Sequence, residues 1–403
     1  MASCLAELRA AGAVVQDIAV RDGSRRMLVL VSVGYFLSVW AWGLLSPLAP
    51  LLREDAGLDA AGQALVVALP VLVGCLGRVP VGALADRFGG RAAFLAALAV
   101  SIVALAGLAA GGYRTAGGLL AGSALLGVAG TTFAAGVQVV SGWFPGPGRG
   151  LAVGVLGMGV CGSAAGGLTA VRWAGAYGMA VPFVVSAVLL ALCGVALAVL
   201  GRDAPAGSRR TGGLSAALRL PITWRASGWY AVQFGVFVAF SVYLPVYLGN
   251  AYGLPAADAG TWMAAFVVVA VLARPIGGWL ADRVPGRPLV VSLAALAVVA
   301  GVQAFTPPLP VVAVTLLAMA VALGVASSAT LVRAAAGAGP SLVGLVTGLV
   351  TAAAGLAGFA SPLLMAASYA VTGGYGAAVG LLAVAAAVAA WSAARPRRGA
   401  RPT

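Results

Sequence analysis

Hydrophobic residues in this chain form twelve long runs, separated by short segments that carry most of the charged residues. Each run has 18 residues or more, the length that a helix needs to cross the hydrocarbon core of a bilayer. Lipid offers the backbone no hydrogen-bond partners, so these segments are expected to be helical. We therefore predict an all-α membrane protein with twelve transmembrane helices, at residues 27–52, 61–84, 92–110, 117–142, 151–171, 179–200, 228–249, 258–281, 288–306, 310–333, 342–370 and 373–393.

The longest polar stretch, at residues 201–227, separates six predicted helices from six others. Its glycine, proline and serine residues are typical of a connecting segment. We predict an N-terminal half at residues 27–200 and a C-terminal half at residues 228–393, joined by this linker on the cytoplasmic side. Residues 1–26 are predicted to form a cytoplasmic N-terminal segment, and residues 394–403 a cytoplasmic tail.

Two sequence motifs occur once in each half. GRVPVGALADRFGGR at 77–91 and ARPIGGWLADRVPGR at 273–287 lie 196 residues apart and share eight of fifteen residues. GLAVG at 150–154 and GLVTG at 344–348 lie 194 residues apart. Similar offsets between corresponding helices indicate two parallel repeats of six helices. Carriers built in this way bind substrate at the interface between the repeats.

Composition agrees with a membrane protein, because 62% of the residues are hydrophobic and only 8% are charged. The net charge of +14 does not indicate a nucleic-acid partner, since the 24 basic residues are all arginine and 19 of them lie on one side of the predicted membrane. The positive-inside rule makes that side cytoplasmic, together with both termini. We expect a multi-pass protein of the cell (inner or plasma) membrane, without a disulfide framework.

Two arginines lie deep inside predicted helices. Arg78 precedes Asp86 by eight residues, and Arg274 precedes Asp282 by the same number. At about 1.5 Å per residue, each arginine is about 12 Å inside a core about 30 Å thick. Such an arginine costs about 2.5–3.5 kcal/mol on insertion scales, so it requires a partner or a water-filled cavity.

The ten acidic residues all fall in loops, in the terminal segment or at the ends of helices, so none is available as a partner at mid-depth. Snorkelling of the two side chains to the interface is the remaining structural explanation. We favour a site in which both arginines face a central cavity and bind an anion, because the guanidinium group stays charged and donates bidentate hydrogen bonds.

The chain has no histidine and no embedded acid, so it lacks the usual relay of a carboxylate-driven proton symporter. An empty cavity with two unpaired charges should close less readily than one that holds an anion. Anion exchange follows as a hypothesis, while proton-coupled uptake through water, tyrosine or the substrate remains open. The sequence has neither an acid–base pair at mid-depth nor a cluster of metal ligands, so we do not expect an enzyme. We also expect no metal and no cofactor.

Four stretches resemble the nitrate/nitrite porters of the major facilitator superfamily: LPVLVGCLGRVPVGALADRFGGR (69–91), FAAGVQVVSGWFP (133–145), FGVFVAFSVYLPVYL (234–248) and ADAGTWMAAFVVVAVLARPIGGWLADR (257–283). The resemblance runs from the first to the eleventh helix. It implies the major facilitator fold and a nitrate bound between Arg78 and Arg274. It also implies that Phe133, Tyr230 and Phe234 line the site, although aromatics at this spacing usually only pack.

The glycine-rich fifth and eleventh helices are part of the same resemblance, and Gly157, Gly159, Gly355 and Gly358 are candidates for backbone that faces the substrate. Ordinary helix packing explains most of the 58 glycines equally well. The family has a glycine–asparagine pair that contacts the anion, whereas this chain has Gly159 and Val160. Nitrate stays the first choice, with nitrite or another small monovalent oxyanion behind it, and a transporter of an organic anion or drug-like solute is the alternative.

The charged turns after the second and eighth helices have two interpretations. They either form contacts that lock the cytoplasmic face, as the resemblance implies, or only set the topology. The candidate gate residues are Asp86, Arg87, Arg91, Asp282, Arg283 and Arg287. For partners we expect a small anion and the lipid bilayer, no nucleic acid, and a monomeric protein.

Overall fold

The computed structural model describes residues 23–144, 148–202, 213–339 and 341–395. Twelve helices in this part of the chain are long and apolar enough to span a membrane. We label them α1 to α12 in chain order: Gly23–Arg53, Leu65–Phe88, Gly90–Ala109, Ala116–Trp143, Arg149–Tyr177, Val181–Leu200, Pro221–Tyr252, Asp258–Arg283, Arg287–Ala304, Leu309–Ala338, Val343–Thr372 and Gly376–Ala394. The predicted twelve-helix bundle of two six-helix halves is confirmed.

Several helices are longer than their hydrophobic runs. α7 begins at Pro221, a residue favoured in the first helical turn, rather than at residue 228 as predicted. A short helix, Leu214–Arg219, precedes it inside the predicted linker. Hydropathy marks the part of a helix that contacts lipid, whereas capping residues determine where the helix begins. Most of residues 1–26, the middle of the linker and most of the tail lie outside the described residues.

α4 and α5 each contain a short stretch of 3₁₀ helix, at Gly127–Thr131 and Met158–Cys161. The tighter 3₁₀ pattern interrupts the regular series of α-helical hydrogen bonds. Carbonyl oxygens beside such an interruption can accept bonds from side chains instead. Two of these carbonyls, at Gly130 and Gly157, accept hydrogen bonds from Arg78 and Arg274, respectively.

The first interface between the halves is formed by α2 and α11. The carboxylate of Asp86 accepts hydrogen bonds from the backbone N–H groups of Gly344 (2.8 Å) and Leu345 (2.7 Å), in the first turn of α11. One turn deeper, a Cβ atom on Gly82 would overlap the backbone of Gly344. The two helices therefore approach backbone to backbone, which glycine permits because it has no side chain.

The second interface, between α5 and α8, repeats the first. Asp282 accepts hydrogen bonds from the N–H groups of Gly148 (3.1 Å), Gly150 (2.9 Å) and Leu151 (3.1 Å). A Cβ atom on Gly278 would overlap the backbone of Gly150. Carboxylates at helix N-termini are stabilised by the unpaired N–H groups and by the helix dipole. Both interfaces are thus closed at the same end of the bundle, which we call the arginine-rich end.

Arginines also cap helix C-termini at this end. Arg91 donates to the carbonyl of Leu197 (3.2 Å) and to that of Ala198, at the end of α6. In the other half, Arg225 and Arg333 donate to the carbonyls of Ser392 (2.5 Å) and Ala393 (3.1 Å), at the end of α12. Cations near a helix C-terminus interact favourably with its dipole. These bonds stay within one half and fix the helix ends beside the two interfaces.

Candidate substrate site

Arg78 lies in α2 at the inner end of the first interface. Its Nε donates to the carbonyl oxygen of Gly130 in α4 (3.1 Å), and its Nη1 donates to the carbonyl oxygen of Thr351 in α11 (2.7 Å). The first bond lies within the N-terminal half, whereas the second crosses to the C-terminal half. The side chain is half-buried. Its two bonds hold it against neighbouring helices, so it does not snorkel to the membrane surface.

Arg274 lies in α8 at the inner end of the second interface, with only 5% of its surface exposed. Its Nη1 donates to the carbonyl oxygen of Gly157 in α5 (2.8 Å). The guanidinium carbon lies 5.8 Å from the centre of the Phe237 ring. Like Arg78, this arginine reaches across to a backbone carbonyl of the other half.

The contacts of the two arginines are equivalent under the internal repeat. Arg78 and Arg274 are 196 residues apart, and the carbonyls that they contact across the interface, Gly157 and Thr351, are 194 apart. These are the offsets of the two repeated motifs. The backbones also match, because Gly348 packs on the carbonyl of Arg78 as Gly154 packs on that of Arg274. The arginines therefore occupy matched positions on either side of a pseudo-twofold axis.

Neither guanidinium group contacts a carboxylate among the described residues. Each has five N–H donors, and the bonds recorded here use two on Arg78 and one on Arg274. Tyr35 of α1 lies within electrostatic range of both arginines and of Tyr230. Arg78 and Arg274 thus lie near tyrosine side chains from both halves, and each arginine has further N–H groups that can donate to a ligand.

Aromatic rings pack against one another in both halves. In the N-terminal half, the Tyr35 and Phe133 rings lie 5.0 Å apart. In the C-terminal half, the rings of Tyr230 and Phe234 are stacked 6.1 Å apart, and that of Phe237 lies 6.1 Å from Phe234. Low-polarity walls strengthen the interaction of a guanidinium group with an anion, because they exclude water.

The four candidate glycines have different surroundings. Gly157 contacts the Arg274 side chain, and its carbonyl accepts the bond described above. A Cβ atom on Gly159 or Gly358 would press on the ring of Tyr35 or Phe234, respectively. Gly355 faces the Cys75 side chain instead, one turn beyond Arg78. Three of the four therefore support side chains of the site, and the fourth closes the first interface.

A small pocket opens beside Arg274, between α7, α8 and α10. It is lined by Gln233, Phe234, Phe237, Ala270, Arg274, Leu323, Gly324 and Ser327. The cavity volume, measured as room for a water-sized molecule, is about 10 Å³. Pockets for drug-sized ligands usually measure about 300–1,000 Å³. The space next to the arginine suits a ligand of a few atoms.

The family model described as Major Facilitator Superfamily matches residues 31–362. This chain belongs to the Major Facilitator Superfamily. The family and the fold predicted from the sequence are therefore confirmed, and the chain is a multi-pass membrane protein of a transporter superfamily.

Two curated proteins and one solved structure are similar over nearly the whole chain. A Mycobacterium tuberculosis protein named probable nitrate/nitrite transporter NarK2 is 42% identical over 356 residues, which are 86% of this chain and 90% of that protein. The nitrite extrusion protein of Bacillus subtilis is 31% identical over 361 residues, or 89% and 90% of the two chains. The E. coli fucose:proton symporter FucP superimposes with a TM-score of 0.76 at 15% identity, over 92% and 98%, which shows the shared fold alone.

Of the six candidate gate residues in this superfamily member, Asp86 and Asp282 make contacts across the interfaces in the part of the chain that the structure describes. Arg87 lies over the Phe88 ring at 5.0 Å, and Arg283 lies over the Trp279 ring at 4.1 Å. Arg91 caps α6, as described above. Arg287 is the first residue of α9.

Sequence reasoning missed several side chains near the arginines: Tyr35, Cys161, Gln233, Phe237 and Ser327. A signal for one of them was present, because Tyr35 precedes Tyr230 by 195 residues and therefore occupies the matching position in the first repeat. Gln233 and Phe237 carry no such signal. They become visible only when α7, α8 and α10 are packed together.

Proposed function

We propose that this superfamily member transports nitrate and nitrite across the membrane by alternating access, with the anion held between Arg78 and Arg274. The observation that carries the proposal is the matched placement of the two guanidinium groups, without a carboxylate partner among the described residues. Relatives named probable nitrate/nitrite transporter and nitrite extrusion protein support the choice of substrate. The activity is transport rather than an enzymatic reaction.

A planar monovalent oxyanion matches the site chemically. Each arginine can donate two N–H groups to two oxygens of such an anion, and the aromatic rings can pack on its flat faces. Tyr35, Phe133, Tyr230 and Phe234 are the proposed walls. A single negative charge neutralises part of the charge of the two arginines, which lowers the cost of isolating them from water.

Val160 sets a limit on selectivity in this proposal. It stands where the resemblance places an asparagine, so its side chain offers the anion no hydrogen bond. The arginines still supply the charge. We therefore propose nitrate as the preferred substrate, with nitrite and other small monovalent oxyanions accepted as well.

Exchange of one anion for another is the mechanism that the charges favour. In the closed arrangement, both arginines turn one donor to a carbonyl of the opposite half. Opening the arginine-rich end breaks these two bonds, which leaves an empty site with more unpaired donors. A bound anion can take their place, so the loaded carrier should change state more readily than the empty one.

The arginine-rich end is cytoplasmic in this proposal, which follows the positive-inside rule. The protein lies in the cell (inner or plasma) membrane with both termini inside the cell, acts as a monomer and does not bind nucleic acid. The closed α2–α11 and α5–α8 interfaces then make the described conformation one that is sealed toward the cytoplasm.

Counterflow in liposomes tests the function. Liposomes that contain the protein and are preloaded with nitrite should take up labelled external nitrate, without any proton gradient, faster than liposomes without internal anion. Stimulation by a proton gradient in empty liposomes would instead favour symport. If nitrate fails to enter under either condition while the protein is folded, the proposed substrate is wrong.

We propose that Asp86 and Asp282 form the cytoplasmic gate, because each carboxylate holds the first turn of a helix from the other half. Replacing either by asparagine removes the charge and one acceptor oxygen. The closed state should lose about 1–2 kcal/mol, since charge-assisted bonds at a helix N-terminus have this order of strength.

The expected result for Asp86→Asn or Asp282→Asn is a shift of about 5- to 30-fold toward the state that is open to the cytoplasm. The distance between spin labels on the two halves at the arginine-rich end measures this shift. Asp55→Asn, an exposed acid near the opposite end of α1, is the matched control and should leave the distance unchanged. Unchanged distances in both gate variants would mean that Asp86 and Asp282 do not form a gate and only set the topology.

A further inference from the structure

One buried polar atom beside Arg274 has no hydrogen-bond partner in the part of the chain that the structure describes. Gln233 of α7 is 2% exposed and lines the small pocket together with Arg274 and Ser327. Its Nε2 donates to Thr330 Oγ1 (3.0 Å), but its Oε1 accepts no hydrogen bond among the described residues. A buried amide oxygen without a donor is costly, so the pocket is expected to contain the missing donor.

The orientation of the Gln233 amide is fixed by its neighbour. The Thr330 hydroxyl donates its single hydrogen to the carbonyl of Ala326 (2.8 Å), so toward Gln233 it can only accept. The amide nitrogen must therefore face Thr330, and the amide oxygen must face the pocket. Reversing the amide would place two acceptors against each other at Thr330 and leave a donor facing the donors of Arg274.

An oxyanion cannot satisfy this oxygen, because nitrate and nitrite have no hydrogen to donate. Arg274 has free N–H groups on the same pocket, and its recorded bond goes to Gly157 instead. Ser327 Oγ donates to the Tyr230 hydroxyl (3.3 Å) and keeps lone pairs to accept a bond. A ligand here needs to donate to Gln233, accept from Arg274 and fit a space of few atoms.

We propose that this pocket is a hydrogen-bond-donor subsite occupied by one water molecule, which links Gln233 Oε1 to the guanidinium group of Arg274. Water meets the requirements because it donates two hydrogen bonds and accepts two, and buried waters usually make about three. The third partner is Ser327 Oγ. The subsite lies beside the anion site and not within it, and its role rests on the proposed function of Arg274.

The water gives Arg274 a partner in its own half. The bond from Arg274 to Gly157 crosses the α5–α8 interface and is lost when that interface opens. Gln233, Ser327 and Arg274 all belong to the C-terminal half, so a bridge between them can persist in both states. Gln233 is thus a positioning residue that keeps the arginine directed at the anion throughout the cycle.

The direct test is an experimental structure of the full chain, with and without nitrate, at a resolution that shows ordered water. The expected result is one density peak in hydrogen-bond contact with Gln233 Oε1 and the Arg274 guanidinium group in both structures. An empty pocket, or a nitrate oxygen in contact with the Gln233 amide, overturns the proposal. This result stands whether or not any variant folds.

Nitrate binding to purified protein provides the second test. Gln233→Leu removes the acceptor at similar volume and should weaken binding about tenfold, the order expected for losing a bridge to a charged group. Gln303→Leu is the matched control: Gln303 is also buried in the C-terminal half, but it bonds to Tyr247 and Thr315 away from the arginines. The Gln303→Leu control should lower the thermal stability of the protein without changing its affinity for nitrate. Equal affinity of Gln233→Leu and the wild type contradicts the positioning role.

A pH profile separates positioning from a purely structural role. Gln233→Glu places a carboxylate next to Arg274, where it competes with the anion, so nitrate binding should fall by more than tenfold at neutral pH. Acidification protonates this carboxyl and should restore much of the binding, whereas wild type and Gln303→Glu should show no such recovery. Failure of wild type to bind nitrate would reject the proposed function, while nitrate binding without the bridging water would reject only this subsite.

Discussion

Nitrate counterflow should fall by about 100-fold or more when either Arg78 or Arg274 is replaced by lysine. Lysine keeps the positive charge but loses the planar fork, so it cannot donate two parallel hydrogen bonds to two oxygens of an anion while it also reaches the backbone carbonyl. Each lost hydrogen bond to a charged group costs about 1.5–3 kcal/mol, and 1.4 kcal/mol corresponds to a factor of ten. Two such losses at one site account for the expected fall.

The measurement is uptake of labelled nitrate into nitrite-loaded liposomes, with nitrate affinity determined on the same preparations. Arg172→Lys is the matched control, because Arg172 is an exposed residue of α5, the helix that also supplies the Gly157 carbonyl. It should transport as the wild type does. Wild-type rates in Arg78→Lys or Arg274→Lys would show that the arginine is structural and that the anion binds elsewhere.

The fold could be predicted from the sequence because lipid imposes a simple rule. A helix that crosses the membrane must be mostly apolar within the hydrocarbon core, so hydropathy alone gives the number and order of the spans. The repeat of GRVPVGALADRFGGR in ARPIGGWLADRVPGR then relates the two halves. Helix ends were less accurate, as at Pro221, because they depend on capping and lie outside the hydrocarbon core.

The site was predicted in part, and the reason differs from residue to residue. Arg78 and Arg274 stand out because an arginine inside an apolar run is costly, and their lack of an acidic partner follows from counting ten carboxylates. Tyr35 could have been identified only by applying the offset between the two repeats to Tyr230, which gives the matching position in α1. Gln233 has no sequence signal, because its importance depends on the hydrogen that Thr330 gives to Ala326 and not on its position in a pattern.

Asp86 and Asp282, at the arginine-rich end, show another limit of sequence reasoning. The resemblance implied charge contacts at these turns, with a role in topology alone as the alternative, whereas the structure pairs each carboxylate with backbone N–H groups at the start of a helix. Arg91, predicted alongside them, donates to the carbonyls that end α6. Every residue except proline has both a backbone N–H and a C=O group, so the sequence does not show which of them are unpaired at helix ends. These unpaired groups are nevertheless the hydrogen-bond partners of the aspartates and of Arg91.

Adding one methyl group at an interface glycine should block the transport cycle. In Gly82→Ala the new Cβ would overlap the backbone of Gly344, and in Gly278→Ala it would overlap the backbone of Gly150. Backbone atoms cannot rotate away as a side chain can, so the two helices must separate. Overpacking of this kind costs about 1–3 kcal/mol after relaxation, which shifts the equilibrium away from the closed state by about 5- to 150-fold.

The closed state is the one in which both arginines reach across to the opposite half, so its loss should stop exchange while the protein stays folded. Gly107→Ala in α3 and Gly301→Ala in α9 are matched controls, because a Cβ atom at either position would meet open space. Alanine is the better helix former, so the controls should be at least as stable as the wild type.

Spin labels at the exposed residues Phe88 and Val284, in a cysteine-free background, report the distance between the halves. A wild-type distance and wild-type counterflow in Gly82→Ala and Gly278→Ala would mean that these helices do not need to touch for transport. A longer distance together with lost counterflow would instead show that backbone contact at the two glycine pairs is needed to seal the arginine-rich end.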